Sequence, residues 1–357
     1  MANTALLDRI KKNSTLGGLK TLDKSPYLQN QDNILTEMPV LNIAFSGELD
    51  KGFRSGLIQF AGPSKHFKTN LALVAVKAFF DKYPDAICLF FDSEFGITND
   101  YLAAQGIDPT QVIHIPVMNI EELRFEIVNQ LEGLTRDDKV IILIDSIGNL
   151  ASKKEVEDSK NENGAQDMSR PKMLKSLGRI VTPYLTTKDI PCIAINHVYD
   201  SLNGYTKTVS GGTGLYLSAN TIFIISRAQE KDGTEITGWT FTLNIEKSRD
   251  VRERSKVKFQ VDYEKGIMLY SGLLDIAMAT GHVIKPGAGW YCRVINGVQE
   301  DKKYRQKDTQ NKEFWDPILN EDSFKNSVKK IFKLSSDKRI NELDDDVDLN
   351  ENIDDDE

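Results

Sequence analysis

The chain has 357 residues, 40% hydrophobic and 27% charged, which suits about two soluble domains with ample material for a core. No run approaches the ~18 apolar residues of a membrane span, and Met1-Ala2-Asn3-Thr4 opens without a signal-peptide apolar core, so the expectation is a cytoplasmic protein. The net charge of −8 is concentrated in residues 342–357, which hold ten acidic and no basic groups; the remaining 43 acidic and 45 basic residues make a slightly basic body that permits nucleic-acid binding without demanding it.

In chain order, residues 1–35 read as an N-terminal arm. Leu6, Leu7 and Ile10 share one side of a short helix, which Asn13 to Gly18 breaks. So short a helix is unstable alone, and must dock on its own core or on a neighbour. Next, Leu57-Ile58-Gln59-Phe60 reads as a strand and Leu71 to Val76 as helix. Between them lie Gly62, Pro63, Ser64, Lys65, His66, Phe67, Lys68, Thr69 and Asn70. Strand, loop, Lys-Thr, helix is the order of a phosphate-binding loop, whose free backbone N–H groups meet an anion at the helix start. Lys68 would reach the β/γ-phosphates and Thr69 would ligate Mg²⁺. Phe67 stands where that pattern has glycine, so it must find an allowed backbone conformation and send its ring away from the nucleotide. An ordinary strand-to-helix turn is the alternative from this segment alone.

Further apolar runs follow at Ile87–Phe91, Val112–Ile115, Val140–Ile144, Ile190–Ile195, Thr221–Ile225 and Thr240–Ile245. Helix-like stretches separate them, including Ile120 to Leu134 and Met173 to Leu185; Pro183 should kink or end the latter. Continuous apolar strands between helices imply a parallel sheet covered on both faces, with ligands beyond the carboxyl ends of the strands. Four strand ends deliver polar groups there: the phosphate loop, Asp92 with Glu94, Asp145-Ser146, and Asn196-His197. Asp145, closing the most apolar run, suits a carboxylate holding Mg²⁺ opposite Thr69. Glu94 is placed to orient and deprotonate an attacking water, although a surface glutamate reads equally well from its position. Asn196 and His197 would contact the γ-phosphate. Two polar segments, 158–170 and 199–214, follow strands that carry these residues and have the Lys/Arg, Tyr and Gly content of a single-strand binding surface. Beyond residue 270 come a helix at Leu273–Thr280 with Gly281 as its cap, a turn and strand around Gly287–Tyr291, and helical Phe314-Trp315 and Phe324–Phe332. This gives boundaries at 1–35, 36–270, 271–335 and an acidic, disordered tail at 336–357. Cys88, Cys192 and Cys292 are odd in number and far apart, against a disulfide framework or zinc site; Cys88 and Cys192 read as buried, inert thiols.

The segments Ala61–Thr69, Phe90–Thr98, Ile144–Lys154 and Pro191–His197, preceded by Asn42-Ile43-Ala44 and Gly47, resemble the RecA-type homologous-recombination ATPases, most closely the phage UvsX recombinases. The substituted glycine at Phe67 is itself part of the likeness. The resemblance implies an α/β fold: a RecA-like P-loop ATPase core with a mostly parallel sheet flanked by helices, a short N-terminal oligomerisation helix, and a small C-terminal α+β domain. It implies an ATP- and Mg²⁺-dependent enzyme that forms a helical filament on single-stranded DNA, pairs it with duplex DNA and exchanges strands in recombination, repair and recombination-dependent replication. In it Glu94 activates water, Lys68 binds phosphate, Tyr101 stacks on adenine, and His197 replaces a γ-phosphate-sensing glutamine. Lys247 and Arg249 reach ATP in the neighbouring subunit. Arg170, Lys172, Arg179, Tyr199, Tyr205, Lys207, Gly211 and Gly212 serve DNA in the two loops. A single-strand DNA-binding protein and a recombination mediator are the implied protein partners, in the host cytoplasm if the chain is phage-encoded. The alternatives are a hexameric helicase on the same core, disfavoured by the short segment before the core, and a non-catalytic recombinase paralog, disfavoured by intact Lys68, Thr69, Glu94 and Asp145.

Overall fold

Alternation along β1 (Gly56–Ala61) organises the molecule, because both faces of this strand are buried. Ile58 and Phe60 enter one apolar core, while Leu57 and Ala61 enter a second core on the other face. The computed structural model describes residues 4–16, 19–29, 32–160, 169–200 and 207–334. Helices α1 (Thr4–Asn13), α2 (Pro26–Gln29) and α3 (Pro39–Ser46) precede β1. Then follow α4 (Lys68–Lys82), β2 (Ile87–Asp92), α5 (Asn99–Ala104), β3 (Val112–Pro116), α6 (Ile120–Gly133), β4 (Val140–Asp145), α7 (Lys153–Asp158), α8 (Ser169–Thr187) and β5 (Pro191–Asn196). After the hairpin β6 (Val198–Asp200) and β7 (Lys207–Val209) come α9 (Gly212–Ser218) and the long β8 (Thr221–Asp232), β9 (Glu235–Lys247), β10 (Lys256–Asp262) and β11 (Gly266–Met268).

These strands form one sheet in the order β11-β10-β9-β8-β1-β5-β4-β2-β3. Pairing is parallel from β3 across to β8 and antiparallel from β8 to β11. Helices α3 and α4 cover one face, and α6, α8 and α9 the other. The amphipathic reading of α6 holds, with Ile120, Leu123, Ile127 and Leu131 buried and Asn119 capping its start by accepting from the Glu122 N–H. Pro183 does not end its helix. It lies on the exposed side of α8, where its ring does not disturb the buried face of the helix.

The C-terminal part contains α10 (Leu273–Ala279), β12 (Val283–Gly287), β13 (Trp290–Ile295), β14 (Val298–Gln299), β15 (Tyr304–Arg305), α11 (Lys312–Leu319) and α12 (Asp322–Phe332). Its small sheet is antiparallel. Its buried Trp315, Phe314 and Phe324 join the same apolar cluster as Phe60 and Phe223. The chain returns to the main sheet, where Lys333 bridges Val251 and the Leu334 N–H donates to Asp250 O. The three cysteines are buried and unpaired, and burial pushes the Cys88 and Cys192 thiols up, the latter to about 12. No helix among the described residues is long and apolar enough to cross a membrane.

Candidate nucleotide site and adjoining loops

The carboxyl ends of β1, β2, β4 and β5 open into one cleft of about 270 Å³. Its walls include Lys65, Lys68, Thr69, Glu94, Tyr101, Asp145 and His197, contributed by all four strand ends that the sequence marks as polar. The phosphate loop enters α4 through Phe67, whose side chain makes no cap hydrogen bond, so the first N–H groups of the helix are left for an anion. Phe67 itself takes φ 62 and ψ 18, the left-handed conformation that glycine supplies at no steric cost. Its ring turns onto Phe241 of β9 and Phe259 of β10, at centroid distances of 5.2 and 6.0 Å. The loop's shape is thus kept despite the substitution.

Lys68 Nζ donates to Pro63 O at 2.8 Å, closing the loop over its own amine, and burial lowers its pKa. Thr69 Oγ1 donates to Asp145 Oδ2 at 2.8 Å, while Asp145 Oδ1 is buried without a partner. Burial is the first cause holding the Asp145 carboxyl up at about 6, with Glu94 and Asp92 adding to it. A hydroxyl beside a desolvated carboxylate with one orphaned oxygen suits a hard divalent cation that is otherwise held by phosphates and water. Among the described residues there is no cluster of three or more His, Cys, Asp or Glu that would cage a metal without them.

Glu94 is clamped through one oxygen. Ser146 Oγ, Asn149 Nδ2 and His197 Nε2 all donate to Oε1, at 2.6, 2.9 and 3.2 Å. His197, the first cause, pulls the carboxyl down to about 2, with Ser146 and the nearby Lys68 adding to it. The turn that presents Glu94 is itself fixed: buried Asp92 accepts from the Glu94 and Phe95 N–H groups through Oδ1 at 2.9 and 2.8 Å, and its Oδ2 meets His114 Nε2 at 3.1 Å. Asp92 was legible in the sequence only as a polar strand end, and its partner His114 not at all, since it arrives on the neighbouring strand β3 and belongs to no motif. Tyr101 hydrogen-bonds Asn70, and burial raises its phenol pKa.

Asn196 is a correction. It was expected at the γ-phosphate, but it is fully buried, and its amide donates to Gln59 Oε1 at 3.1 Å and Ser210 O at 2.8 Å. His197 alone reaches the cleft. Arg170, expected at DNA, makes contacts within the chain. Its guanidinium donates to Leu150 O at 2.9 Å, Gly148 O at 2.5 Å and Ser210 Oγ at 3.5 Å, tying the end of the first polar loop to the segment after β4 and to the later part of the second loop. Lys172 and Arg179 remain exposed on α8, as do Tyr199 on β6 and Lys207 on β7. Gly211 and Gly212, at φ 100 and 72, make the turn into α9. Residues 161–168 of the first loop and 201–206 of the second, Tyr205 among them, lie outside the described residues, as does the acidic tail.

Lys247 and Arg249 do not join the cleft of their own chain. Lys247 pairs with Ile222, which is level with Gln59 in the middle of β1. Its amine donates at 2.9 Å to both Tyr216 O and Leu217 O, at the end of α9 on the face opposite α4. Arg249 is exposed beyond the end of β9.

Comparison with known proteins agrees with this architecture. The RecA N-terminal domain family matches residues 2–268. The family described as Bacteriophage T4, Recombination and repair protein, C-terminal domain matches residues 270–328. The chain is 48% identical over 338 residues to the recombination and repair protein of Enterobacteria phage T4, covering 93% of this chain and 86% of that protein. It is 26% identical over 355 residues to Protein RecA of a Nostoc species, covering 98% and 96%. Against Protein RecA of Synechococcus elongatus it is 27% identical over 290 residues, covering 80% and 78%. With a phosphate loop, a strand-end carboxylate beside Thr69 and a clamped glutamate on a sheet of this order, the chain belongs to the RecA family, in the branch that contains the phage T4 recombination and repair protein.

Proposed function

We propose that this protein is a recombinase that uses ATP and Mg²⁺ to form a helical filament on single-stranded DNA, pairs it with homologous duplex and exchanges strands. The observation that carries the reading is the convergence of Lys68, Thr69, Glu94, Asp145 and His197 from four strand ends on one cleft. Membership of a family of recombination proteins, one of them 48% identical, supports it and disfavours a hexameric helicase.

The backbone N–H groups at the start of α4 and the Lys68 amine bind the phosphates, and Tyr101 lines the outer part of the cleft as a stacking surface for the base. Thr69 and Asp145 would hold Mg²⁺, which would offset the charge that develops on the phosphates. Glu94 is held ionised by its hydrogen-bond donors. Its role is to accept from the attacking water through Oε2, to which none of the described residues donates, and so to hold that water in line. His197 donates to the same carboxylate and lies one residue before the strand that starts the second polar loop, so a change at the γ-phosphate is passed to that loop. The exposed Lys172, Arg179, Tyr199 and Lys207 supply charge and stacking for a nucleic-acid strand. Lys247 and Arg249, remote from their own cleft, complete the site of the next subunit. A single-strand DNA-binding protein and a mediator fit as filament partners.

Strand exchange between homologous DNAs, run beside ATP hydrolysis, tests the proposal. Wild type should hydrolyse ATP faster with single-stranded DNA, and Glu94→Gln should lose about 10²-fold or more in turnover while still binding nucleotide. A wild-type rate indifferent to DNA, or closed rings in electron micrographs, would overturn it.

A further inference from the structure

The phosphate loop contains two non-glycine residues in the left-handed region, Lys65 at φ 60 and Phe67 at φ 62. Neither residue type favours that conformation, so something outside the loop must hold it. Phe67 is held by Phe241 and Phe259, two rings of the antiparallel strands stacked on each other at 5.3 Å. Lys65 is held from the same side. Arg227, midway along β8, donates from Nη1 to Lys65 O at 2.9 Å. Its guanidinium lies 3.9 Å from the centroid of the Trp239 ring on β9, and the Trp239 indole N–H donates to Tyr263 Oη at 2.7 Å, just beyond β10. Three successive strands therefore build a stack whose tip is one N–H aimed at one loop carbonyl.

We infer that Arg227 is a positioning residue for the nucleotide: held over Trp239, it fixes the Lys65 carbonyl and so keeps the phosphate loop in its anion-binding shape. Arginine suits this task because its planar fork stacks on an aromatic face while still donating along its edge, which an ammonium cannot do. Strands β8 to β10 thereby act as a brace on the loop, replacing the conformational freedom that glycines would give at residues 65 and 67. The inference rests on the reading of this loop as the nucleotide site.

The test is equilibrium binding of a fluorescent ADP, with Mg²⁺ and without DNA, to the full chain. Arg227→Ala should bind about tenfold more weakly, and Arg227→Lys nearly as weakly, with thermal midpoints within about 2 °C of wild type. Adding Lys65→Gly to Arg227→Ala should restore affinity to within about threefold, because glycine holds a positive φ without a brace. A merely structural arginine would not be rescued in this way. Unchanged binding by Arg227→Ala, or no rescue by Lys65→Gly, overturns the inference. Lys68→Ala separates the two readings. Tight binding by Lys68→Ala would remove the nucleotide site and the brace together, whereas loss in Lys68→Ala beside intact binding by Arg227→Ala removes the brace alone.

Discussion

Glu94 shows how one side chain can be held twice, once at its carboxylate and once at its backbone. Ser146, Asn149 and His197 hold the charge, and Asp92 holds the turn. Because the carboxyl is pulled from its ordinary 4.5 to about 2, it contributes stability that is present above pH 4.5 and lost as the pH falls toward 2. The group is about one-third exposed, so that contribution is about 1 kcal/mol after solvent screening. Thermal unfolding of Glu94→Gln against wild type should show a steady gap from pH 7 to pH 5 that closes below 4.5. Asp92 is expected to act on turnover rather than on affinity. Asp92→Ala, which frees the Glu94 and Phe95 N–H groups, should lower kcat about tenfold with the KM for ATP nearly unchanged. Asp92→Asn keeps an acceptor for them and should retain most activity, which steady-state kinetics would check. Glu94 was visible in the sequence as a polar group after a strand. Asp92 was visible only as a strand end, and His114 was not visible at all, because the tie between them is made by strand pairing.

At the scale of elements, the parallel strands were legible because burial on both faces writes them as unbroken apolar runs. The antiparallel β9 was equally clear, with Phe241, Leu243 and Ile245 buried in alternation. Position within the fold was harder to read. Pro183 suggested a helix end, and only its place on the exposed side of α8 explains why the helix continues. The phosphate loop was found by its order of elements, yet its grip on β8, β9 and β10 spans 162 residues of sequence between Lys65 and Arg227 and leaves no local pattern. This grip makes Phe67 a packing residue as well as a loop residue. Phe67→Gly removes a half-buried ring, at a cost of about 1–3 kcal/mol, and relieves roughly 1 kcal/mol of left-handed strain. A small net loss of stability is expected, measured as a lower urea midpoint with an unchanged slope.

For the whole molecule, Lys247 and Arg249 stand apart from their own cleft, and in the proposed filament, where they complete the site of the next subunit, activity would be a property of neighbours. Glu94→Gln and Arg249→Ala subunits should each be inactive as pure filaments. Mixed in equal amounts, they should recover about a quarter of wild-type ATP turnover, because a random quarter of interfaces pairs an intact Glu94 with an intact Arg249. A mixture as inactive as its parts would place both residues in one subunit's site. The sequence pointed to this arrangement only through resemblance, since no spacing along one chain can report what a second chain contributes.

The Arg170 guanidinium has a mechanical consequence. One rigid, planar group bolts together Gly148, Leu150 and Ser210, so the roots of the two polar loops share a single fulcrum. These hydrogen bonds give a displacement behind β4 a direct route to Ser210 behind β5, and coupled movement of the two roots is the expected outcome. Cutting the bolt with Arg170→Ala should leave each loop to respond on its own. Amide exchange at Gly148–Leu150 and at Ser210–Gly212 would then lose its common response to nucleotide, even where the cleft itself still fills.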